Sequence, residues 1–257
     1  MKTKSLSGAF YGIPGFYAGY ATQSHLQPPE ETILRLMLPL LPAARMLDLG
    51  VGGGRTTLHF AKWVREYVGT DYDPDLVAAC RSRFSGYPLP LKFEVCDARQ
   101  MPLFQDQSFD FILFSYNGLD YGTHEERVEI LKEVRRIGKP GGFFCFSSHN
   151  LNACADYFDW GRLLSPNPAL ALQTARRLAR RFLYNRHLNA KTFRNSDYIL
   201  FDLGRRTYFI RPRAQVAELE KDFFNVRAFG LVSGRELAAE ELERTADAWI
   251  YYLCQFR

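Results

Sequence analysis

The chain has 257 residues, of which 47% are hydrophobic, and it carries a formal net charge of +5. This length suits one α/β domain with an added element, and the apolar content excludes a disordered chain. No apolar stretch is long enough to span a bilayer and no secretory signal is visible, so we expect a cytoplasmic protein. The five cysteines form no Cys-x-x-Cys pair, which favours reduced, mostly buried thiols.

Residues 1–44 precede the first predicted strand and are rich in aromatic side chains. We expect this segment to form a lid or cover over the domain that follows. Tyr11, Tyr17 and Tyr20 are candidates for a wall of a substrate site. Simple packing of an N-terminal helix onto a sheet explains Tyr17 and Tyr20 equally well, because tyrosine is often partly buried for its ring alone.

Residues 45–150 alternate strand and helix patterns with short connections. This alternation predicts a doubly wound, mostly parallel sheet with helices on both faces. The predicted strands begin at Arg45, Glu66, Leu91, Phe109 and Phe143, and the predicted helices cover 56–64, 74–84 and 124–138.

The last part of the chain does not continue the alternation of strands and helices. It predicts a strand at 207–211, a helix at 212–224 and an antiparallel finishing pair of strands at 226–232 and 249–256. We therefore assign 45–150 and 207–257 to one domain and treat 151–206 as a basic helical insertion that covers a substrate site.

A glycine-rich turn, Asp48-Leu-Gly50-Val-Gly52-Gly53-Gly54-Arg55, follows the first predicted strand and opens a helix. Open α/β sheets bind ligands at this edge, beyond the carboxyl ends of their strands. Arg55 stands where a dinucleotide fingerprint requires its third glycine, and the Gly-Lys-Ser/Thr run of a phosphate-binding loop is absent. The turn is therefore suited to a ligand without a pyrophosphate.

The second and third predicted strands also end in residues that suit a nucleoside. Asp71 is placed to accept hydrogen bonds from both hydroxyls of a ribose, and Tyr72 to lie against an adenine face. Asp97 is placed to accept from the adenine amino group. Either aspartate alone is better explained as a turn or helix-cap residue, but both together with the glycine turn predict a nucleoside site.

These residues resemble the motifs of class I S-adenosylmethionine-dependent methyltransferases. Met46–Thr57 resembles motif I, Asp71 the acid of motif II, Asp97-Ala98 motif III and Ser108–Asn117 the fourth-strand motif. Leu131–Gly142 is similar to the helix and turn of the branch that includes the ubiquinone and menaquinone methyltransferases. The resemblance covers about residues 45–150.

This resemblance implies a seven-stranded sheet of order 3-2-1-4-5-7-6 and S-adenosyl-L-methionine as the cofactor. It also implies that the methionine part binds near Gly50 and Arg55. The candidate cofactor-binding residues are Gly50, Gly52, Gly54, Arg55, Asp71, Tyr72, Asp97, Ala98, Ser115 and Tyr116.

The loops after the fourth and fifth strands carry the candidates for chemistry. His149 is the best candidate base, because imidazole titrates near neutral pH, although a structural histidine fits as well. Tyr116 and Asn117 accompany it, more as pocket walls than as reacting groups. Asp120 is a candidate substrate contact or the cap of the helix that begins near His124. The other histidines lack metal-ligand spacing, so we expect no metal.

The positive charge is concentrated between Trp160 and Arg213, where twelve Lys and Arg face two acidic residues. A helix predicted over 168–184 places four arginines within an arc of about 140°. They are Arg176, Arg177, Arg180 and Arg181. Arg176 and Arg180 are candidate contacts for an anionic substrate, a nucleic acid or an anionic membrane surface, while a solvated cover is an equally good interpretation.

The leading hypothesis is an enzyme that methylates oxygen or nitrogen on a small or lipid-like metabolite, including anionic ones. An RNA methyltransferase that uses the insertion as its grip is the first alternative. A regulatory module that binds the cofactor without catalysis is the second. The sequence leaves the substrate, the acceptor atom and the oligomeric state open.

Overall fold

The computed structural model describes residues 23–158, 166–202 and 206–257. The predicted substrate wall lies outside the described residues, as do three of the four arginine side chains predicted on one face of the helix over 168–184. These are Tyr11, Tyr17, Tyr20, Arg177, Arg180 and Arg181.

Five parallel strands form the body of the sheet, in the order β3-β2-β1-β4-β5. They are β1 (Arg45–Leu49), β2 (Glu66–Asp71), β3 (Leu91–Val95), β4 (Phe109–Phe114) and β5 (Gly138–Asn150). Strands β1, β2 and β4 are almost wholly buried, as expected for strands covered on both faces. Strand β5 begins five residues earlier than its apolar run predicts, so the predicted break at 139–142 is already strand.

The predicted finishing pair is confirmed, although its first strand begins at Phe223, within the predicted helix 212–224, which ends at Leu219 instead. Strand β9 (Trp249–Phe256) runs antiparallel to β5 along residues 143–149, and β8 (Phe223–Gly230) runs antiparallel to β9. The seven strands therefore follow the order β3-β2-β1-β4-β5-β9-β8, which is the predicted order of strand positions.

A further hairpin extends the sheet at the carboxyl end of β5. Strands β6 (Tyr198–Asp202) and β7 (Arg206–Ile210) pair antiparallel, and β7 pairs in parallel with only the last two residues of β5. Strand β6 lies inside the segment predicted as a helical insertion, which is therefore helical only in part. Its buried Ile199 and Phe201 follow the two-residue alternation of a half-buried strand.

Eight α-helices lie in the described part of the chain. They are α1 (Pro28–Met37), α2 (Thr57–Phe60), α3 (Pro74–Arg83), α4 (His124–Ile137), α5 (Pro168–Tyr184), α6 (Ala190–Asn195), α7 (Pro212–Leu219) and α8 (Ala239–Arg244). Helix α2 is shorter than predicted and continues as a 3₁₀ turn, Ala61–Trp63. Helix α5 has its predicted bounds. None of the helices described is long and apolar enough to cross a membrane.

The helix cap predicted at Asp120 is wrong. Thr123 caps α4 by accepting from the backbone N–H of Glu126, whose carboxylate accepts in turn from the N–H of Thr123. This reciprocal pair is the capping box, and it satisfies two otherwise unpaired amides at the start of the helix. Asp120 lies one turn earlier and faces the interior.

The apolar core lies on both faces of the sheet. One cluster includes Phe109, Phe144 and Tyr252, and the other includes Ile33 of α1 and Phe111. A third, smaller cluster lies under the β6–β7 hairpin. All five cysteines are buried and free, as the sequence predicted for its thiols.

Candidate active site

The glycine turn between β1 and α2 has three residues in the left-handed region. Gly50, Gly52 and Gly54 have φ of +63°, +54° and +77°, a conformation that side chains make costly. A Cβ on Gly54 would collide with the ring of Phe84, so this glycine allows close packing of the turn against α3. Gly50 and Gly52 instead line a pocket.

That pocket lies at the carboxyl ends of β1 and β4. Its lining residues come from the turn, from the end of β4 and from the start of the described chain. They are Gln23, Asp48, Gly50, Val51, Gly52, Gly53, Arg55, Thr56, Ser115 and Tyr116. The pocket therefore brings together the glycine turn, Arg55, Ser115 and Tyr116 of the predicted cofactor site.

Asp71 fixes the shape of the turn. Its carboxylate accepts from the backbone N–H of Gly52 at 3.0 Å and from that of Asp73 at 3.0 Å. Burial raises the pKa of Asp71, while these two amide hydrogen bonds oppose the shift. Tyr72 follows with its side chain half exposed. The predicted contact of Asp71 with a ribose stays a prediction.

Asp97 has a different environment from the one its motif suggests. It lies two residues beyond β3, and Arg99 donates to both of its carboxylate oxygens at 2.6 to 3.1 Å. The Arg99 hydrogen bonds lower the pKa of Asp97. Ala98 packs against the core. The carboxylate is therefore already paired, and its predicted contact with adenine stays a prediction.

Asp48 also lines the pocket, although the sequence analysis assigned no role to its side chain. It is fully buried and accepts from the hydroxyl of Thr56 at 2.5 Å and from that of Tyr67 at 2.6 Å. Burial raises its pKa to about 6, although both hydroxyl groups favour the charged form.

Arg55 lines the pocket, but its charge is already balanced. Its guanidinium donates to both oxygens of Glu30 in α1, at 2.5 and 2.6 Å, and to the hydroxyl of Ser115 at 3.1 Å. Burial by itself would raise the pKa of Glu30, and the hydrogen bonds and charge of Arg55 outweigh it, so that the pKa is lowered. This bidentate pair attaches α1 to the glycine turn.

Glu30 was not singled out from the sequence, although it has five donors. Besides the two from Arg55, they are the hydroxyls of Ser115 and Tyr251 and the backbone N–H of Gln27. Four of these contacts join residues 25 to 221 positions apart. The only local signal is that Glu30 follows Pro28-Pro29 at the start of a helix, in the third position of a capping box.

The loop after β4 is conformationally strained. Tyr116 and Asn117 have φ of +58° and +60° in succession. Asparagine tolerates this region, but an aromatic residue seldom adopts it. The Tyr116 ring lies 5.8 Å from that of Trp249, and the Arg55 guanidinium lies 5.3 Å above it. Strain of this kind is typical of functional sites that the surrounding structure holds in place.

His149, the candidate base, lies at the end of β5 beside this loop. Its Nδ1 is 2.9 Å from an oxygen of Asp120, and its Nε2 is 3.4 Å from the side-chain nitrogen of Asn117. Its neighbouring rings belong to Phe209, Trp249 and Tyr121, at centroid distances of 4.9 to 6.2 Å. The structure thus brings His149, Asn117 and Asp120 together.

Asp120 supports His149 from behind, with a side chain that is fully buried. It also accepts from the backbone N–H of His149 at 2.6 Å, from the Ser148 hydroxyl at 2.9 Å and from Arg127 at 2.5 Å. Arg127 is itself buried and donates further to Gln215 of α7. Asp120 therefore lies behind His149, and its predicted contact with a substrate stays a prediction.

The basic helix α5 contributes no residue to the pocket lining in the part of the chain described. Arg176 is exposed, as a solvated face requires. On the predicted apolar face, Leu178 is buried whereas Leu172 and Leu183 are exposed. The helix therefore packs less of its apolar face against the protein than its pattern predicts. The predicted substrate contact of Arg176 stays a prediction.

Comparison with known proteins agrees with this arrangement. Residues 46–142 match a family model described as a methyltransferase domain. The ubiquinone/menaquinone biosynthesis C-methyltransferase UbiE of Bordetella avium is 36% identical over 104 residues, which are 39% of either chain. A probable phthiotriol/phenolphthiotriol dimycocerosates methyltransferase of Mycobacterium ulcerans is 29% identical over 160 residues, 61% of this chain and 54% of that one. The matches thus span about half or less of these relatives.

Solved structures support the fold over nearly the whole chain. A putative S-adenosylmethionine-dependent methyltransferase from Listeria monocytogenes has a TM-score of 0.60 at 18% identity, covering 89% of this chain and 98% of that one. One from Mesorhizobium loti has a TM-score of 0.56 at 20% identity, covering 88% and 97%. The sheet order, the glycine turn and the family match agree, and residues 46–142 of the chain form a methyltransferase domain of the class I, S-adenosylmethionine-dependent type.

Proposed function

We propose that this protein binds S-adenosylmethionine at the glycine turn and transfers its methyl group to a small molecule. The observation that carries the proposal is the pairing of Gly52 with Asp71 at the pocket edge. Gly52 has a left-handed backbone and no side chain, so its face is open to the pocket, and its N–H holds the carboxylate of the next strand. A nucleoside bound beside this turn can contact the glycine backbone closely and can donate hydrogen bonds to the Asp71 carboxylate.

The residues present fit this cofactor. Asp71 accepts from backbone amides at both of its oxygens, and a carboxylate with about four acceptor sites keeps capacity for a ribose hydroxyl. Gly50 and Ser115 line the opposite part of the pocket, toward the end of β4. Arg55 offers its positive charge to a carboxylate only in competition with Glu30, so its first role is to hold α1 against the turn.

S-adenosylmethionine supplies an electrophilic methyl group that already carries its leaving group. The protein must therefore align the nucleophile and exclude water rather than create a reactive centre. The strained Tyr116 and the ring of Trp249 lie between the pocket and His149 and form an apolar connection between the two. This apolar lining supports a small or lipid-like metabolite as the substrate, on which oxygen or nitrogen is the acceptor that we propose.

Titration calorimetry with S-adenosylmethionine and S-adenosylhomocysteine tests the proposal. We expect both to bind, and Asp71→Asn to weaken them by about 1.5–3 kcal/mol, the usual value of a hydrogen bond to a charged group. Asp106→Asn is the matched control, because Asp106 is an exposed carboxylate that only pairs with Arg136. Absence of binding to the wild-type protein, or equal losses in both variants, would contradict the proposal.

The alternatives predict other results. A regulatory module binds the cofactor but releases no S-adenosylhomocysteine with any acceptor. An RNA methyltransferase places the methyl group on RNA, with an affinity that falls steeply as salt rises. Relatives such as the C-methyltransferase named above make carbon a further acceptor to be distinguished.

A further inference from the structure

The hydrogen-bond partners of His149 define one tautomer for the neutral ring. The Asp120 carboxylate accepts from Arg127 and from the backbone N–H of His149, so it is an acceptor toward the imidazole as well. The proton of a neutral His149 therefore lies on Nδ1, and Nε2 carries a lone pair. A ring held in this way is oriented to take a proton at Nε2 and at no other atom.

The groups around Nε2 are not satisfied by the protein alone. The contact with the Asn117 side-chain nitrogen is long, at 3.4 Å, and the Asn117 side-chain oxygen is buried without a hydrogen-bond partner. A buried polar atom without a partner costs stability and is typical of a site that a ligand completes. The His149 side chain is 15% exposed, so Nε2 lies at an edge that a ligand can reach.

We propose that His149 is a general base and that the acceptor is a neutral hydroxyl group on an apolar, ring-bearing molecule. This inference rests on the proposed function and names the acceptor atom as oxygen. The hydroxyl donates to His149 Nε2 while the rings of Phe209, Trp249 and Tyr121 contact the body of the molecule.

The step balances in atoms and electrons. The hydroxyl oxygen forms a bond to the methyl carbon as the carbon–sulfur bond breaks, and that electron pair stays on sulfur. The hydroxyl proton passes to Nε2, and the imidazolium gives it to solvent afterwards. Asp120 is a positioning residue that stabilises the imidazolium through Nδ1–H. Rotation of the Asn117 side-chain amide then brings its oxygen, which has no hydrogen-bond partner in the resting site, to Nε2, where it accepts from the new Nε2–H.

Charge and hydrogen-bond chemistry favour a hydroxyl over the other acceptors. An ammonium group needs a net negative site, but the carboxylate next to His149 is Asp120, whose charge Arg127 already balances. The C–H group of a carbon acceptor is a much weaker hydrogen-bond donor to Nε2 than a hydroxyl is. A hydroxyl offers one proton to one base, which is what the Asp120-oriented imidazole can accept.

The test uses the intact protein loaded with S-adenosylhomocysteine and labelled with ¹⁵N in histidine. Nuclear magnetic resonance at pH 8 is expected to show His149 protonated at Nδ1 and bare at Nε2. Benzyl alcohol, benzylamine and toluene are the probes, because they share a ring and differ in the group presented. We expect benzyl alcohol to shift the Nε2 resonance and to bind roughly three- to tenfold more tightly than toluene, as one hydrogen bond allows.

His149→Phe keeps a ring among the aromatic neighbours and should remove the preference for the alcohol over toluene. His187→Phe is the matched control, because His187 is exposed in the loop after α5 and should leave the preference unchanged. A proton on Nε2, equal binding of toluene, or tightest binding of benzylamine overturns the inference. Failure of the proposed function is distinguishable from these outcomes, because the wild-type protein would then not bind S-adenosylhomocysteine at all.

Discussion

The buried pair of Glu30 and Arg55 gives the sharpest test of how the N-terminal helix is held on the cofactor turn. Glu30→Gln keeps the shape of the side chain but removes the charge opposite Arg55, whose side chain is only 11% exposed. Both carboxylate oxygens of Glu30 accept from Arg55, so the NH₂ group of the glutamine must face an N–H donor of Arg55 and cannot accept from it. Breaking a buried pair from one side costs about 3–5 kcal/mol.

Urea unfolding followed by circular dichroism measures this loss. We expect Glu30→Gln to lower the free energy of unfolding by about 3 kcal/mol, which corresponds to roughly 6–12 °C in melting temperature for a chain of this size. Glu31→Gln is the matched control, because the neighbouring Glu31 is exposed on the same helix. A loss below about 1 kcal/mol, or an equal loss in both variants, would refute the role given to the pair.

Acidification supplies a second measurement of the same pair. The pKa of Glu30 is lowered in the folded protein, so its contribution is complete above its ordinary value near 4.5 and disappears as the pH falls through the folded pKa. The gap in stability between wild type and Glu30→Gln should therefore narrow at the lowest pH at which both still fold. If the difference in unfolding free energy between the two proteins stays constant with pH, the destabilisation by Glu30→Gln comes from packing and not from charge.

Other variants test separate parts of the site. The pKa of Asp48 is raised to about 6, so stability should fall as the pH rises from about 4 to 6, and Asp48→Asn should remove that part of the pH dependence; an unchanged pH profile of unfolding would contradict this. Gly52→Val should abolish calorimetric binding of S-adenosylhomocysteine, since its φ of +54° and its place in the pocket exclude a branched side chain. Arg127→Met should unfold at lower urea than wild type, because it leaves the Asp120 charge buried and unpaired.

The parts of the fold that depend on local pattern were predictable from the sequence. Apolar runs located β1 and β4, and the Asp48–Arg55 turn followed from its glycines. The final strands were predicted to be antiparallel because no helix was recognised between them, although the short helix α8 lies there in the structure. These features need only short-range periodicity and turn chemistry.

The contacts that define the site chemically were beyond such patterns. Glu30 meets Arg55, and Asp120 meets Arg127 and His149, only after distant segments of the chain have packed. Asp120 looks like a helix cap in sequence because it precedes α4, but Thr123 forms a better cap nearer the first turn. Strand β6 was missed because its apolar run is short and follows a strongly helical segment.

Methyl transfer itself is the most direct test of the central proposal. The protein is incubated with S-adenosylmethionine carrying a labelled methyl group and with separated small-molecule, lipid and RNA fractions of a cell extract. We predict formation of S-adenosylhomocysteine with label in the small-molecule or lipid fraction, and loss of both with Gly52→Val. Formation of S-adenosylhomocysteine no faster than in protein-free mixtures, with every fraction, would contradict the proposed function.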